Sequence, residues 1–351
     1  MRAVAVLERL AALVASMKRI RKARGGVSAE TKALESDGLK NADPPVGASG
    51  PDVNSSQGTR PKKRARKQKA RILNCTPEQY LADPCRVPSL SSGVAHALVA
   101  ESPAHAFMKH PRLGGSANGS PGTKAMNDGA LIHKLLLGKG KDVVVVDAPD
   151  FRTNLARTAR DQALQAGRIP ILRHQADAKS IVAEILKDKL LAYGYSLTGK
   201  SEVAIEWTAE CADGAVLCRS MLDHVYIDQG RIYDVKKVES ANPRKLARNF
   251  VENGYDIQYA AYTRALAALR PELEGMIDMT FLFVEIEPPY SVVPVEPDGA
   301  LREIGALRWE RAVQLWRQCT DSNDWPGYSR ERVLLEAPAY VVTQELGTWQ
   351  Q

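Results

Sequence analysis

The chain is 351 residues long, 44% hydrophobic and 25% charged, an ordinary globular composition that excludes wholesale disorder, a collagen and a coiled-coil array. No stretch approaches the roughly 20 apolar residues that span a bilayer. Glu8 and Arg9 interrupt the apolar segment that a signal peptide would need, so a cytoplasmic protein with no membrane partner is expected. The net charge of +7 is unevenly placed: residues 1–71 hold 17 Lys+Arg against 6 Asp+Glu, and the remainder carries a net −4. Nothing suggests a body that is basic all over. Cys75, Cys85, Cys211, Cys218 and Cys319 include no C-x-x-C pair, which argues against a disulfide framework, a zinc knuckle and an iron–sulfur cluster.

Val6, Leu10, Leu13, Met17 and Ile20 recur at helical spacing before Arg21 and Lys22. Residues 1–24 therefore read as an amphipathic basic helix. Residues 25–72 read as a disordered linker, polar and without apolar periodicity. It ends in Pro61 to Arg71, where seven of eleven residues are basic; such a run can hold phosphates without sequence preference or can simply be solvated.

The folded body is expected from near Leu73 to about residue 335, followed by a tail over 336–351. A short helix opens at Pro77. Ser89 to Ser92 cap a helix running to about Leu98, and Ser102-Pro103 cap another. After a Gly-rich loop, Asn127 or Asp128 is expected to cap a helix that carries His133 and stops at Gly138. Val143 to Val146 read as a short buried strand, followed by helices over 153–166 and 175–193. Strands then run from about Val203 to Lys237, with turns at Asp213-Gly214 and Gln229-Gly230. One long helix is expected from Pro243 to Leu269, then strands at Met279–Glu285 and Val292–Val295 and a helix over 299–318. The pattern is α/β, a mixed central sheet flanked by helices.

The chemistry concentrates at Asp223, Asp234 and Lys236. If Gln229-Gly230 is a two-residue hairpin loop, Asp223 lies opposite Lys236 and all three share one sheet face; a three-residue loop would turn Asp223 away. Two close carboxylates repel, and a hard divalent cation relieves that repulsion. With a lysine poised on the attacking water, this is equipment for phosphodiester hydrolysis. Taken alone, D-x-K is a common tripeptide, and an exposed salt-bridged hairpin explains it better.

Three further features accompany it: Gly129-x-x-x-His133 on an earlier helix, Asp223 eleven residues before Asp234-Val235-Lys236, and Gln258-x-x-x-Tyr262 on a later helix. In this order they resemble the RecE-like (exonuclease VIII-like) phage exonucleases of the PD-(D/E)XK nuclease superfamily, over about residues 73–330. The resemblance implies a restriction-endonuclease-like core. It also implies that His133, Asp223, Asp234 and the Val235 carbonyl hold Mg²⁺ or Mn²⁺, and that Lys236 acts on the attacking water. Gln258 and Tyr262 would support the site and the DNA backbone. The implied activity is digestion of double-stranded DNA ends, 5′→3′, by a homo-oligomer working with a single-strand annealing protein in phage-type recombination. Lys237, Arg244, Lys245 and Arg248 form a basic stretch suited to DNA phosphates. Two positions depart from the family pattern. Lys237-Val238 follow the motif where Thr-Thr is frequent, and Met221 stands where an arginine is common, with Arg219 two residues further back. They motivate a second reading, a catalytically weak DNA-binding module. Glu202 and Glu206, on the preceding strand, read as supporting or structural residues.

Overall fold

In a computed structural model the protein is described over residues 70–115, 124–329, 331–337 and 341. The predicted N-terminal helix, the linker up to residue 69 and most of the predicted tail lie outside the described residues.

The first element among the described residues is strand β1, Ala70–Ile72. Ala70 is buried opposite Trp207, and Arg71 lies opposite Glu206 with its Nε 2.8 Å from Oε1. The cross-strand ion pair accounts for a strand that apolar periodicity could not show. Helix α1 (Pro77–Leu81) opens with a capping box between Thr76 and Gln79. Ser91 and Ser102 cap α2 (Ser92–Ala100) and α3 (Pro103–Lys109). Helix α4 (Lys124–Leu137) starts before Asn127 and Asp128, which lie inside it and do not cap it.

Between α4 and the central strands lies a βαβ unit: β2 (Val143–Val146), α5 (Asn154–Gln165) and β3 (Ile169–Leu172), the two strands parallel. β3 is additional to the predicted elements. Within β2 only Val146 is buried, so the strand is not the core strand expected from its four valines. Helix α6 (Arg173–Ala192) follows.

The main sheet continues with β4 (Lys200–Cys211), β5 (Gly214–Tyr226), β6 (Arg231–Val238), β7 (Asp278–Glu285) and β8 (Val292–Val295), in the order β1-β4-β5-β6-β7-β8. Only the β6–β7 pair is parallel among these neighbours. A parallel pair needs a crossover, and α7 (Pro243–Glu252) and α8 (Tyr255–Leu269) supply it. The single long helix predicted there is two, because Gly254 adopts a left-handed φ of 71°. A Cβ at Gly254 would come within 2.6 Å of the His96 ring, so both conformation and space demand glycine. Helix α9 (Gly299–Ser322) closes the fold.

Alternation along β6 and β7 sorts two cores. Ile232, Met279, Phe281 and Phe283 pack with α2, α8 and α9, whereas Tyr233, Val235, Leu282 and Val284 pack with α4 and α6. The sheet is therefore buried on both faces, as expected where a crossover covers parallel strands.

Candidate active site

Four elements meet at one cleft: α4 brings His133, β4 Glu202, β5 Asp223, and β6 Val235 to Lys237, with Asp234 buried against Lys236. The cleft holds about 500 Å³ and is lined by His133, Glu202, Asp223, Val235, Lys236 and Lys237, among others. A larger cavity of about 790 Å³ between β4 and α9, walled by Trp207 and Trp309, contains none of the predicted site residues. Volume does not locate the chemistry here; the clustered titratable groups do.

The connection between β5 and β6 corrects the predicted two-residue hairpin. Tyr226 pairs with Arg231, so four residues intervene: a 3₁₀ turn over Ile227–Gln229 and Gly230, left-handed at φ 67°. Pairing of β5 with β6 ends at His224↔Tyr233. There Asp223 takes over, its Oδ2 accepting from the Val235 amide at 3.1 Å. The carboxylate thus replaces a strand partner for β6, and it stays beside the D-x-K motif without the foreseen register.

The rest of the constellation follows in short steps. His133 Nε2 lies 3.2 Å from Asp223 Oδ2. Lys236 Nζ lies 2.5 Å from Asp234 Oδ2 and 5.5 Å from the centre of the Tyr255 ring. Gln258, on α8, donates to Asp234 Oδ1 at 2.6 Å. Asp234 is completely buried; burial, and next the negative Asp223, push its carboxyl up to about 6. Asp223 is also subject to burial, but His133 and Lys236 outweigh it and hold this carboxyl below its ordinary range. Burial works against charge on His133 and Lys236 as well. The Asp223 field raises His133 nonetheless, and Asp234 and Asp223 raise Lys236. Without a bound cation the ammonium therefore keeps its proton and serves as an electrostatic anchor.

The donor set suits a divalent ion. Two carboxylates and an imidazole offer the hard and borderline ligands that Mg²⁺ and Mn²⁺ accept. Asp234 Oδ2 is fully buried and is met by the Lys236 ammonium as an ion pair. Among the described residues no three His, Cys, Asp or Glu side chains are already gathered as ligands. Instead each carboxylate is engaged by a basic side chain, Asp223 by His133 and Asp234 by Lys236.

Other predicted residues divide. Lys237 lines the cleft. Arg244, Lys245 and Arg248 are exposed along α7 and do not line it. Tyr262 is buried, its phenol driven well above the usual range by burial, and it too is absent from the cleft wall. Glu206 turns to Arg71. Arg219 is buried, donating to the Ser89 carbonyl at 2.5 Å and standing 3.4 Å from Asp83, so it is committed to the scaffold and not to a ligand. Lys141 is a cleft residue that was not predicted; the Gly138-Lys139-Gly140-Lys141 run after α4 was its available signal. Glu202 also faces the cleft, with its Oε1 3.8 Å from His133 Nδ1.

A family model described as a PDDEXK-like domain of unknown function (DUF3799) matches residues 97–336. No curated protein gives a significant match. Among solved structures, one described as "Putative exonuclease" from Eubacterium rectale aligns at TM-score 0.48 and 12% identity, over 78% of this chain and 99% of that one. Another, SSO0001, aligns at TM-score 0.25 and 14% identity, over 53% and 84% of the two chains.

Proposed function

The chain belongs to the PDDEXK-like family DUF3799, and from that premise we propose that it is a Mg²⁺- or Mn²⁺-dependent deoxyribonuclease that digests double-stranded DNA from its ends. The observation that carries this reading is the convergence of His133, Asp223 and Lys236 on one cleft, with Asp234 buried against Lys236. Asp223, Asp234 and His133 would hold the cation, with the Val235 carbonyl as a further donor. The cation supplies Lewis-acid polarisation of the phosphate and acidifies the attacking water. Gln258 fixes the Asp234 carboxylate by its 2.6 Å hydrogen bond. The Lys236 ammonium stands where it can orient the attacking water and offset charge building on phosphate oxygens. Lys141 and Lys237, on the cleft wall, supply phosphate contacts.

The RecE-like order of motifs supports the finer reading: 5′→3′ resection by a homo-oligomer, with an annealing protein as partner in phage-type recombination, in the cytoplasm. End-labelled linear duplex incubated with Mg²⁺ tests it. Wild type is expected to release 5′ label first, to spare closed circles, and to lose activity in EDTA and in Asp234→Ala and Lys236→Ala. Equal cleavage by wild type and both variants would assign the activity elsewhere, and cut circles would make the enzyme an endonuclease. The second reading, a weakly catalytic DNA-binding module, rests on the departures from the family pattern at Met221 and Lys237. Cation-dependent DNA binding without cleavage would select it.

A further inference from the structure

Glu202 occupies a conformation that a β-strand residue ordinarily avoids. Its φ is +53°, left-handed, inside β4. For a residue with a Cβ this costs about 1–2 kcal/mol and persists only where something holds it. The consequence is visible on either side. Ser201 and His224 meet at 3.1 Å, and His224 stacks on Tyr233 of the α4–α6 core. Val203 and Leu222, each two residues along its strand, belong to the α2–α8–α9 core. The turn at Glu202 thus breaks the ordinary alternation, in the gap that the β4–β5 pairing leaves between Ser201↔His224 and Val203↔Leu222.

The break points the Glu202 carboxylate at the free side of His133. The imidazole has two nitrogens with separate partners: Nε2 lies 3.2 Å from Asp223, and Nδ1 lies 3.8 Å from Glu202 Oε1. Gly140 completes the arrangement, for a Cβ there would sit 3.5 Å from Glu202 Oε1 and 3.6 Å from His133 Nδ1. A histidine that ligates a cation does so as the neutral ring, with its proton on the other nitrogen and that N–H held by an acceptor. Resting on the cation reading above, we propose that Glu202 is a positioning residue: it accepts the Nδ1–H of His133 and so presents the Nε2 lone pair to the cation. The 3.8 Å separation is that of an ion pair; an approach of about 1 Å makes it a charge-assisted hydrogen bond. The strained backbone is then the cost of aiming a carboxylate where regular alternation would not.

Calorimetric titration of Mn²⁺ into the full chain, stripped of metal, tests the proposal alongside thermal melts of the metal-free variants. Glu202→Ala and Glu202→Gly are expected to raise the Mn²⁺ Kd about 10–100-fold, the usual loss when a ligand histidine's acceptor is removed. Glu202→Gln keeps an accepting oxygen and is expected to lose only a few-fold. The glycine variant should melt no lower than the alanine variant, because glycine adopts φ +53° freely, so it remains usable if the alanine variant folds poorly. Mn²⁺ affinity within twofold of wild type in both truncations would overturn the proposal. Failure of wild type itself to take up Mn²⁺ would instead remove the cation reading beneath it.

Discussion

Replacing Asp234 by asparagine should separate the cost of the buried carboxylate from its use. In the native fold this carboxyl is pushed from 3.8 to about 6, by burial first and Asp223 second. Below pH 3.8 the native and unfolded chains both keep the proton. As pH rises toward 6 the unfolded chain releases it first. Above that the native state carries a charge in a site with no exposed surface. The upward shift corresponds to roughly 3 kcal/mol of stability, present at low pH and lost as pH rises through the folded value. Asparagine abolishes the titration and keeps an oxygen for Gln258. Urea unfolding in EDTA at several values between pH 4 and 8 should therefore show wild type losing roughly 3 kcal/mol relative to Asp234→Asn. Other titrating groups cancel in that difference if they do not touch Asp234. Mn²⁺ should reverse the deficit, contributing about 2.7 kcal/mol at one hundred times its Kd in wild type and little in the variant. Identical pH dependence in the two proteins, or equal stabilisation of both by Mn²⁺, would refute the reasoning.

Asp83→Ala should be the more damaging change to the fold. It removes the partner of buried Arg219 and His110, 3.4 Å and 3.1 Å away, and the acceptor for Ser89, and breaking such a buried set costs about 3–5 kcal/mol, readable as a urea midpoint shift. Burial opposes the Asp83 charge, but His110, Arg219 and Ser89 outweigh it and keep its carboxyl far below 3.8; its stabilisation is thus present above that value and drains away as pH falls, a slope that Asp83→Ala should lack. In the cleft, Lys236→Ala is expected to lower cleavage about 10²–10³-fold. Lys236→Arg should not restore it, because a planar guanidinium does not replace the compact ammonium beside Asp234; full activity in either variant, measured by single-turnover digestion, would remove Lys236 from the chemistry. Deleting residues 1–69 while keeping β1 should leave cleavage intact at saturating DNA and make the salt dependence of binding shallower, by about 0.9 in the log–log slope for each phosphate that the basic run no longer neutralises. An unchanged slope in a filter-binding series would mean the basic run does not touch DNA.

The legible part of the site was the residues themselves. His133, Asp223, Asp234, Lys236 and Gln258 stand in their expected order along the chain, and the structure brings them together. The caps at Ser91 and Ser102 were equally readable, since each is a local bond between a hydroxyl and a nearby amide. Features that depend on a distant partner were not. The break at Asn253-Gly254 is a partial exception: that dipeptide is a local stop signal, and what only the fold shows is His96 occupying the space that a side chain would need. The basic stretch at Arg244, Lys245 and Arg248 is adjacent to the motif in sequence, yet none of the three lines the cleft.

The amino-acid sequence alone determined which groups could do chemistry, because periodicity, capping and motif order are properties of neighbouring residues. Only the tertiary structure decided how those groups meet. The four-residue turn after Tyr226, the end of β5–β6 pairing at His224 and the left-handed kink at Glu202 all arise where strands, helices and buried charge compete for the same backbone. That competition is settled by packing across the fold, which no local stretch of sequence contains.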